Sequence, residues 1–199
     1  MKDFESTLLN IRGLFELHSD GSDIDKNYYI PKYQRNYTWK AFHIERLIND
    51  ISEVVLSKKD DGFLPYFLGG IVLSRESLED ENISKISFEV VDGQQRLTTL
   101  MILLAYFLYE LKKSDRNFSS MIQIIENIEL KINGLLYSTV ENYVTYTTIK
   151  RPNVERSDEL NESFIYLIKE LSVGNAVSDI EDNLKNMKKN LYFPEDVDN

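Results

Sequence analysis

Apolar positions along the chain recur at a few distinct spacings, and each spacing predicts an element. Leu8, Leu9, Ile11, Leu14 and Phe15 form one face of a short helix over residues 6–15. Asp20-Gly21-Ser22-Asp23 reads as a turn between a strand near residues 15–18 and another near 28–30, which Pro31 ends. Thr38 is the expected N-cap of the next helix. Its apolar face is Ile44, Leu47, Ile48, Ile51, Val54 and Val55, opposite Glu45, Arg46, Asn49, Asp50 and Glu53. The aromatic and aliphatic run 66–73 predicts a strand buried on both faces, the charged stretch 75–85 an exposed loop, and residues 86–91 a second strand that stops at Asp92-Gly93. Residues 94–112 predict a long, largely buried helix. Residues 118–133 predict an amphipathic helix, 143–149 have strand composition, and two further helices are expected near 159–171 and 179–190. The expected fold class is therefore α+β, a mixed sheet with helices packed on it, followed by a mainly helical extension. The sequence turns more polar after Asn117, which divides the chain into residues 1–117 and 118–199.

Composition narrows the function. Hydrophobic residues make up 42% and charged residues 28% of the 199, the balance of a globular chain able to bury its own core. The absence of cysteine excludes disulfides, thiolate zinc sites and thiol catalysis, and fits a reducing compartment. The first residues are polar and mixed in charge. The longest apolar run, residues 97–108, is interrupted by Thr98 and Thr99 and is too short to span a bilayer, so a cytoplasmic protein without membrane contact is expected. Twenty-three basic against 33 acidic residues give a net charge of -10. Phosphate neutralisation supplies most affinity for nucleic acid, so the chain as a whole repels DNA, whereas a small anion needs only a few arginines.

The strongest chemical signal is Val90-Val91-Asp92-Gly93-Gln94-Gln95-Arg96-Leu97. A strand runs into Asp-Gly and a helix starts at once, so free backbone N–H groups at the helix start can hold phosphate oxygens. Gly93 lets a ligand approach the backbone, Arg96 can make charge-assisted bonds to the same phosphate, and Gln94 and Gln95 offer neutral amides. Asp92 can hold a metal ion or orient a water; Asp92 and Gln95 are the candidate catalytic residues. Asp-Gly before a helix is often no more than a turn and a cap. Arg96 points to more, because a cation in the first turn opposes the helix macrodipole and an anion nearby would explain it. Thr98 lies close enough to the helix start to touch a ligand.

A second cluster spans Tyr28-Tyr29-Ile30-Pro31-Lys32-Tyr33-Gln34-Arg35-Asn36-Tyr37-Thr38-Trp39-Lys40 and contains the single tryptophan. Gln34 and Arg35 are candidate nucleotide contacts, and Tyr33 and Tyr37 candidate base-stacking rings. Trp39 is expected to pack the following helix. His18 and His43 match no metal spacing and are assigned structural or exposed roles.

Taken together, Ile-Pro-x-Tyr-Gln-Arg-x-Tyr-x-Trp, then Phe67-Leu68-Gly69-Gly70-Ile71-Val72, then Val91-Asp92-Gly93-Gln94-Gln95-Arg96-Leu97-Thr98-Thr99-Leu100, resemble the N-terminal domain of GmrSD-type modification-dependent restriction endonucleases. Arg156-Ser157-Asp158 with Phe164 looks like a weaker downstream motif of that family. The resemblance implies a ParB/sulfiredoxin-like fold, in which Gln34 and Arg35 form one wall of a nucleotide site and Gly93, Gln94, Gln95 and Arg96 the other. It implies nucleoside triphosphate binding and hydrolysis with a divalent cation such as Mg2+, coupled to DNA restriction in anti-phage defence. It also implies that cutting belongs to an HNH-type nuclease domain or subunit and that DNA is met through the full assembly; no His-Asn-His arrangement occurs in this sequence. Two other readings are a nucleotide- or DNA-sensing module without turnover and a ParB-like DNA-binding regulator. The net charge and the lack of a helix-turn-helix pattern argue against the regulator.

Overall fold

A computed structural model describes residues 6–16, 25–57, 66–80, 83–113, 119–142, 147–157 and 160–174. In chain order these form α1 (Ile11–Glu16), β1 (Asp25–Ile30), α2 (Ala41–Leu56), β2 (Val72–Asp80), β3 (Ile83–Asp92), α3 (Gln94–Lys113), α4 (Ser119–Leu136), β4 (Tyr137–Asn142), β5 (Thr147–Pro152), β6 (Val154–Arg156) and α5 (Asn161–Val173). The architecture is α+β with a mixed four-stranded sheet in the order β2-β3-β1-β6. β1 runs parallel to both β3 and β6, and β2 is antiparallel to β3. β4 and β5 make a separate antiparallel pair.

α3 is the centre of the packing. Leu97, Met101, Ile102, Ala105 and Leu108 are fully buried along it, and it packs on α4, α5 and β6. A helix buried on most of its circumference needs partners on several sides. The segments after residue 118 supply them through Phe164, Leu167, Ile168 and Leu171 of α5 and Ile125 and Leu136 of α4. From the sheet, Tyr28, Ile30, Val90 and Val154 join the same core. Tyr28 also anchors α1: its ring meets Phe15 edge-on at 6.1 Å and its hydroxyl donates to the Leu14 carbonyl.

Several elements differ from expectation. The strand predicted over residues 66–73 starts only at Val72. Gly69 sits at φ +100, outside the strand region, and Phe67 is 74% exposed, so residues 66–71 form a surface loop. The charged stretch read as a loop is instead the distal part of a hairpin, paired out to Asp80 and Ile83. Antiparallel pairing satisfies the backbone whatever the side chains. Helix α2 begins after Lys40 rather than Thr38: Lys40 is extended and its N–H donates to His43 Nδ1 at 3.1 Å, which closes the helix start. Helix α1 continues through Glu16, where a strand was expected; residues 17–24, with the turn at Asp20, lie outside the described residues. The predicted strand over 143–149 appears as β5, displaced toward the C-terminus, and residues 143–146 lie outside the description. So does the predicted helix over 179–190. β6 was not foreseen; it is three residues long and enters the sheet at the open edge of β1.

Leu97→Ala removes a fully buried side chain at the junction of sheet, α3 and α5. It is expected to lower unfolding free energy by about 2–5 kcal/mol, read from the midpoint of a urea titration.

Candidate functional site

Three parallel strands end at one edge of the sheet. β1 ends at Ile30, β3 at Asp92 and β6 at Arg156, and Ile30 and Arg156 are register partners. Open sheets with parallel strands leave a crevice at such carboxyl ends, where loops diverge and the next helix starts. Here the loop after β1 carries Pro31 to Lys40, and α3 starts one residue after β3.

The two motifs singled out in the sequence meet at this edge and are bonded to each other. Gln34 Nε2 donates to the carbonyls of Val91 (2.7 Å) and Val90 (3.3 Å) at the end of β3. In return Gln94 Nε2 donates to the Arg35 carbonyl, and Gln95 Nε2 to the Asn36 carbonyl at 3.0 Å. Gln95 Oε1 accepts from the N–H groups of Thr38 (2.8 Å) and Trp39 (3.2 Å). Gln94 and Gln95 are 3% and 6% exposed. Their amides thus serve the backbone of the first loop. Gln95 was expected at the chemistry and Gln94 on the ligand; in the structure both side chains point into the protein and tie the loop down.

Tyr37 is also turned inward. It is 5% exposed, and its hydroxyl shares a 2.8 Å hydrogen bond with Thr99 Oγ1. Thr99 Oγ1 donates onward to the Gln95 carbonyl at 2.8 Å, so Tyr37 is the donor to Thr99. Burial pushes the Tyr37 hydroxyl up to about 12, partly offset by the nearby Arg156 charge. A ring held this way offers no open face for a base. Tyr33, 70% exposed with its hydroxyl on the Glu89 carboxylate, is the ring of the pair that faces solvent. Thr98 is fully buried and accepts from Arg156 Nη1 at 2.8 Å, so it does not face a ligand.

The charged candidates stay outside. Arg35 and Asp92 are exposed, and neither side chain makes a hydrogen bond among the described residues. Arg96, half-buried in the first turn of α3, donates one bond, Nη1 to the Gly70 carbonyl at 3.0 Å, and lies flat against Gly69. Gly69 takes a positive φ that favours glycine, and a Cβ there would stand 2.7 Å from Arg96 Nε and displace the guanidinium. Gly93, at φ +93, is crowded in the same way by Gly70 and Ile71. The loop 66–71 therefore forms a third side of the site, set against α3 by two glycines. The N–H groups of Gln94, Gln95 and Arg96 have no acceptor within the helix, the first intrahelical bond being Leu97 N–H to the Gly93 carbonyl at 3.0 Å.

His43 is structural, its Nδ1 accepting the Lys40 N–H at 3.1 Å while its ring stacks on Trp39 at 5.8 Å. Among the described residues no three His, Cys, Asp or Glu side chains gather as a metal cluster. A cation already carried on phosphates needs only one or two protein carboxylates, and the exposed Asp92 suits that lesser demand. A concavity of about 440 Å³ lies elsewhere, between α3 and α4, lined by Phe107, Glu110, Leu111, Ile128 and Ile132 and almost wholly apolar. It is not part of this edge. Among the described residues no helix is long and apolar enough to cross a membrane.

Sequence reasoning placed the two motifs but missed Arg156 as part of their framework. It is 2% exposed, with Nη1 on Thr98 and Nη2 in a longer contact of 3.5 Å with Gln94 Oε1. The available signal was the weaker downstream motif Arg156-Ser157-Asp158, which does not reveal burial.

Two outcomes are expected from this framework. Gln95→Ala removes three bonds to the loop and should cost roughly 2–4 kcal/mol in chemical denaturation, at about 0.5–1.5 kcal/mol per bond. For pH, Tyr28 and Tyr37 are both raised by burial. Their contribution is full below the unfolded value of 10.0 and falls as pH rises toward about 12. Tyrosinate absorbance of the buried rings should therefore appear together with loss of circular dichroism, after the exposed tyrosines have titrated.

No curated protein matches the chain. A family model does, that of the GmrSD restriction endonuclease, N-terminal domain, over residues 12–196. It includes the loop after β1, the loop 66–71 and the start of α3, the three segments that converge at the sheet edge. The chain belongs to the GmrSD restriction endonuclease N-terminal domain family.

Proposed function

We propose that this chain is the nucleoside triphosphate-binding, and hydrolysing, regulatory domain of a modification-dependent DNA restriction system, built on a ParB/sulfiredoxin-like scaffold. The observation that carries the proposal is the splice of the two motifs. Gln34, Gln94 and Gln95 hold the loops together from within and leave Arg35, Arg96, Asp92 and three N–H groups without an acceptor inside the helix at the same edge. Interior amides with exterior arginines make a rigid cradle for a small polyanion. Most of the guanidinium donors of Arg96 remain for a ligand, and Arg35 has all of its own. The net charge of -10 favours a small anion over a DNA backbone as the direct ligand. The exposed ring of Tyr33 is the candidate platform for the base.

Within this proposal the phosphates lie against the first turn of α3 and the two arginines. Asp92 would be the protein ligand of a divalent cation, Mg2+ being the simplest choice, which would supply neutralisation of the charge developing at the transferred phosphoryl group. Asp92 is also placed to orient a water. Gln95, whose amide is held by the loop through both its oxygen and its nitrogen, acts in hydrolysis only by holding that loop. The DNA-cutting step belongs to an HNH-type nuclease domain or subunit, which nucleotide occupancy at this edge regulates.

Calorimetric titration with the four ribonucleoside triphosphates plus magnesium, beside phosphate-release assays, tests the proposal. Arg35→Ala and Arg96→Ala should each weaken binding by roughly ten- to a hundredfold, the equivalent of about 1.5–3 kcal/mol for a charge-assisted bond. Asp92→Ala should lose turnover more than affinity. Binding without phosphate release in the parent chain would mark a sensing module without turnover. Folded arginine variants that bind like the parent would separate the two motifs functionally and end the proposal.

A further inference from the structure

The deepest charged group at the sheet edge is not among those that face solvent. Arg156 ends β6 opposite Ile30, the last residue of β1 and the first of the Ile-Pro-x-Tyr-Gln-Arg motif. Its backbone is fixed on both sides: its own N–H donates to Asn161 Oδ1 at 2.9 Å, and Ser157 donates to the Ile30 carbonyl through both its N–H (3.0 Å) and its hydroxyl (3.1 Å). The side chain then crosses beneath the start of α3, where it meets Thr98 and Gln94 and lies close enough to Tyr37 to lower its pKa.

A guanidinium has only donors, whereas a glutamine amide has a donor end and an acceptor end of nearly the same shape. Against Arg156, Gln94 must present Oε1. That choice turns Nε2 outward, to the Arg35 carbonyl. Reversed, the amide would set N–H against N–H below and oxygen against oxygen above, with no water at hand in a side chain only 3% exposed. Arg156 thus fixes which end of Gln94 faces the loop, and through it where the backbone of Arg35 is held.

We propose that Arg156 is a positioning residue for the nucleotide site, setting the orientation of the Gln94 amide and so clamping the loop that presents Arg35. The role of the clamp in ligand binding rests on the nucleotide function proposed above; the clamp itself does not. It also gives the chain beyond β5 a direct hold on the site, since β6 and α5 carry Arg156 and its anchor Asn161.

The experiment is hydrogen exchange on the full chain, following the amides of Gln34, Thr38 and Trp39, each of which has a hydrogen-bond acceptor in the native loop. Arg156→Lys, another donor-only cation, should keep these amides close to parental protection. Arg156→Gln, which can be satisfied either way round, should speed their exchange by about tenfold, the equivalent of one hydrogen bond, while amides in the middle of α3 stay protected. In a Gln94→Leu background, Arg156→Gln should add nothing further to loop exchange. Nucleotide affinity, measured beside exchange, should fall with loop protection across the series. Should the parent bind no nucleotide, the functional proposal fails and the exchange data still decide the clamp. Unchanged loop protection in folded Arg156→Gln, loss of protection equally in Arg156→Lys, or an undiminished effect in the Gln94→Leu background would each overturn it.

Discussion

A loop that leaves a sheet and does not at once enter a helix must still find partners for its backbone. Residues 35–39 find theirs in two side chains, Gln94 and Gln95, which between them engage two carbonyls and two N–H groups. This is the constraint on which the site depends. Glutamine suits it because one amide both donates and accepts, at the end of a stem long enough to cross from a helix to a neighbouring loop. An aspartate or glutamate could serve the N–H groups but not the carbonyls, and lysine or arginine the reverse. Burial makes the demand strict, because a buried amide left unpaired costs more than a made bond contributes.

The same constraint separates framework from function along a short stretch of sequence. Of the residues between Asp92 and Thr99, those that look most reactive in a string, the paired glutamines, are spent on structure. Arg96 and Asp92 keep unengaged polar groups. In the first loop the division alternates: Gln34 and Tyr37 face inward, Tyr33 and Arg35 outward. The glycines divide likewise, Gly93 closing the strand-to-helix turn and Gly69 admitting the flat face of Arg96. Family membership places the chain among components of restriction systems, and the geometry indicates which positions are free to meet a ligand.

The strand-turn-helix over residues 86–112 was legible because its period changes abruptly at Asp92-Gly93, and the structure puts the helix start at Gln94. The meeting of the two motifs was legible because each follows a strand. The inward turn of Gln94, Gln95 and Tyr37 was not, since a polar side chain at a helix start reads as exposed until its partner across 56 to 62 residues is known. The hairpin beyond Ser74 was hidden by charges, which mark solvent and not the absence of pairing. β6 was hidden by length: three residues carry no periodicity, and only the vacant side of β1 calls for them. The residues from Tyr66 to Ile71 misled through composition, because aromatic and aliphatic side chains also occur in exposed loops that set a glycine against a neighbour.

The position of β6 has a consequence for how the molecule comes into being. Ser157 closes on Ile30 across 127 residues of chain, so one side of β1 stays bare until late in synthesis. A nascent chain carrying both motifs would already hold the hairpin and the start of α3, yet expose an unpaired strand edge together with much of the surface of a very apolar helix, a pairing invitation to any other strand nearby. Contacts of such long range are slow to form. The order of emergence from the ribosome therefore makes the last-formed strand the one that both caps the sheet and delivers Arg156 beneath α3. The strand that completes the sheet is thus the one that completes the framework under the site.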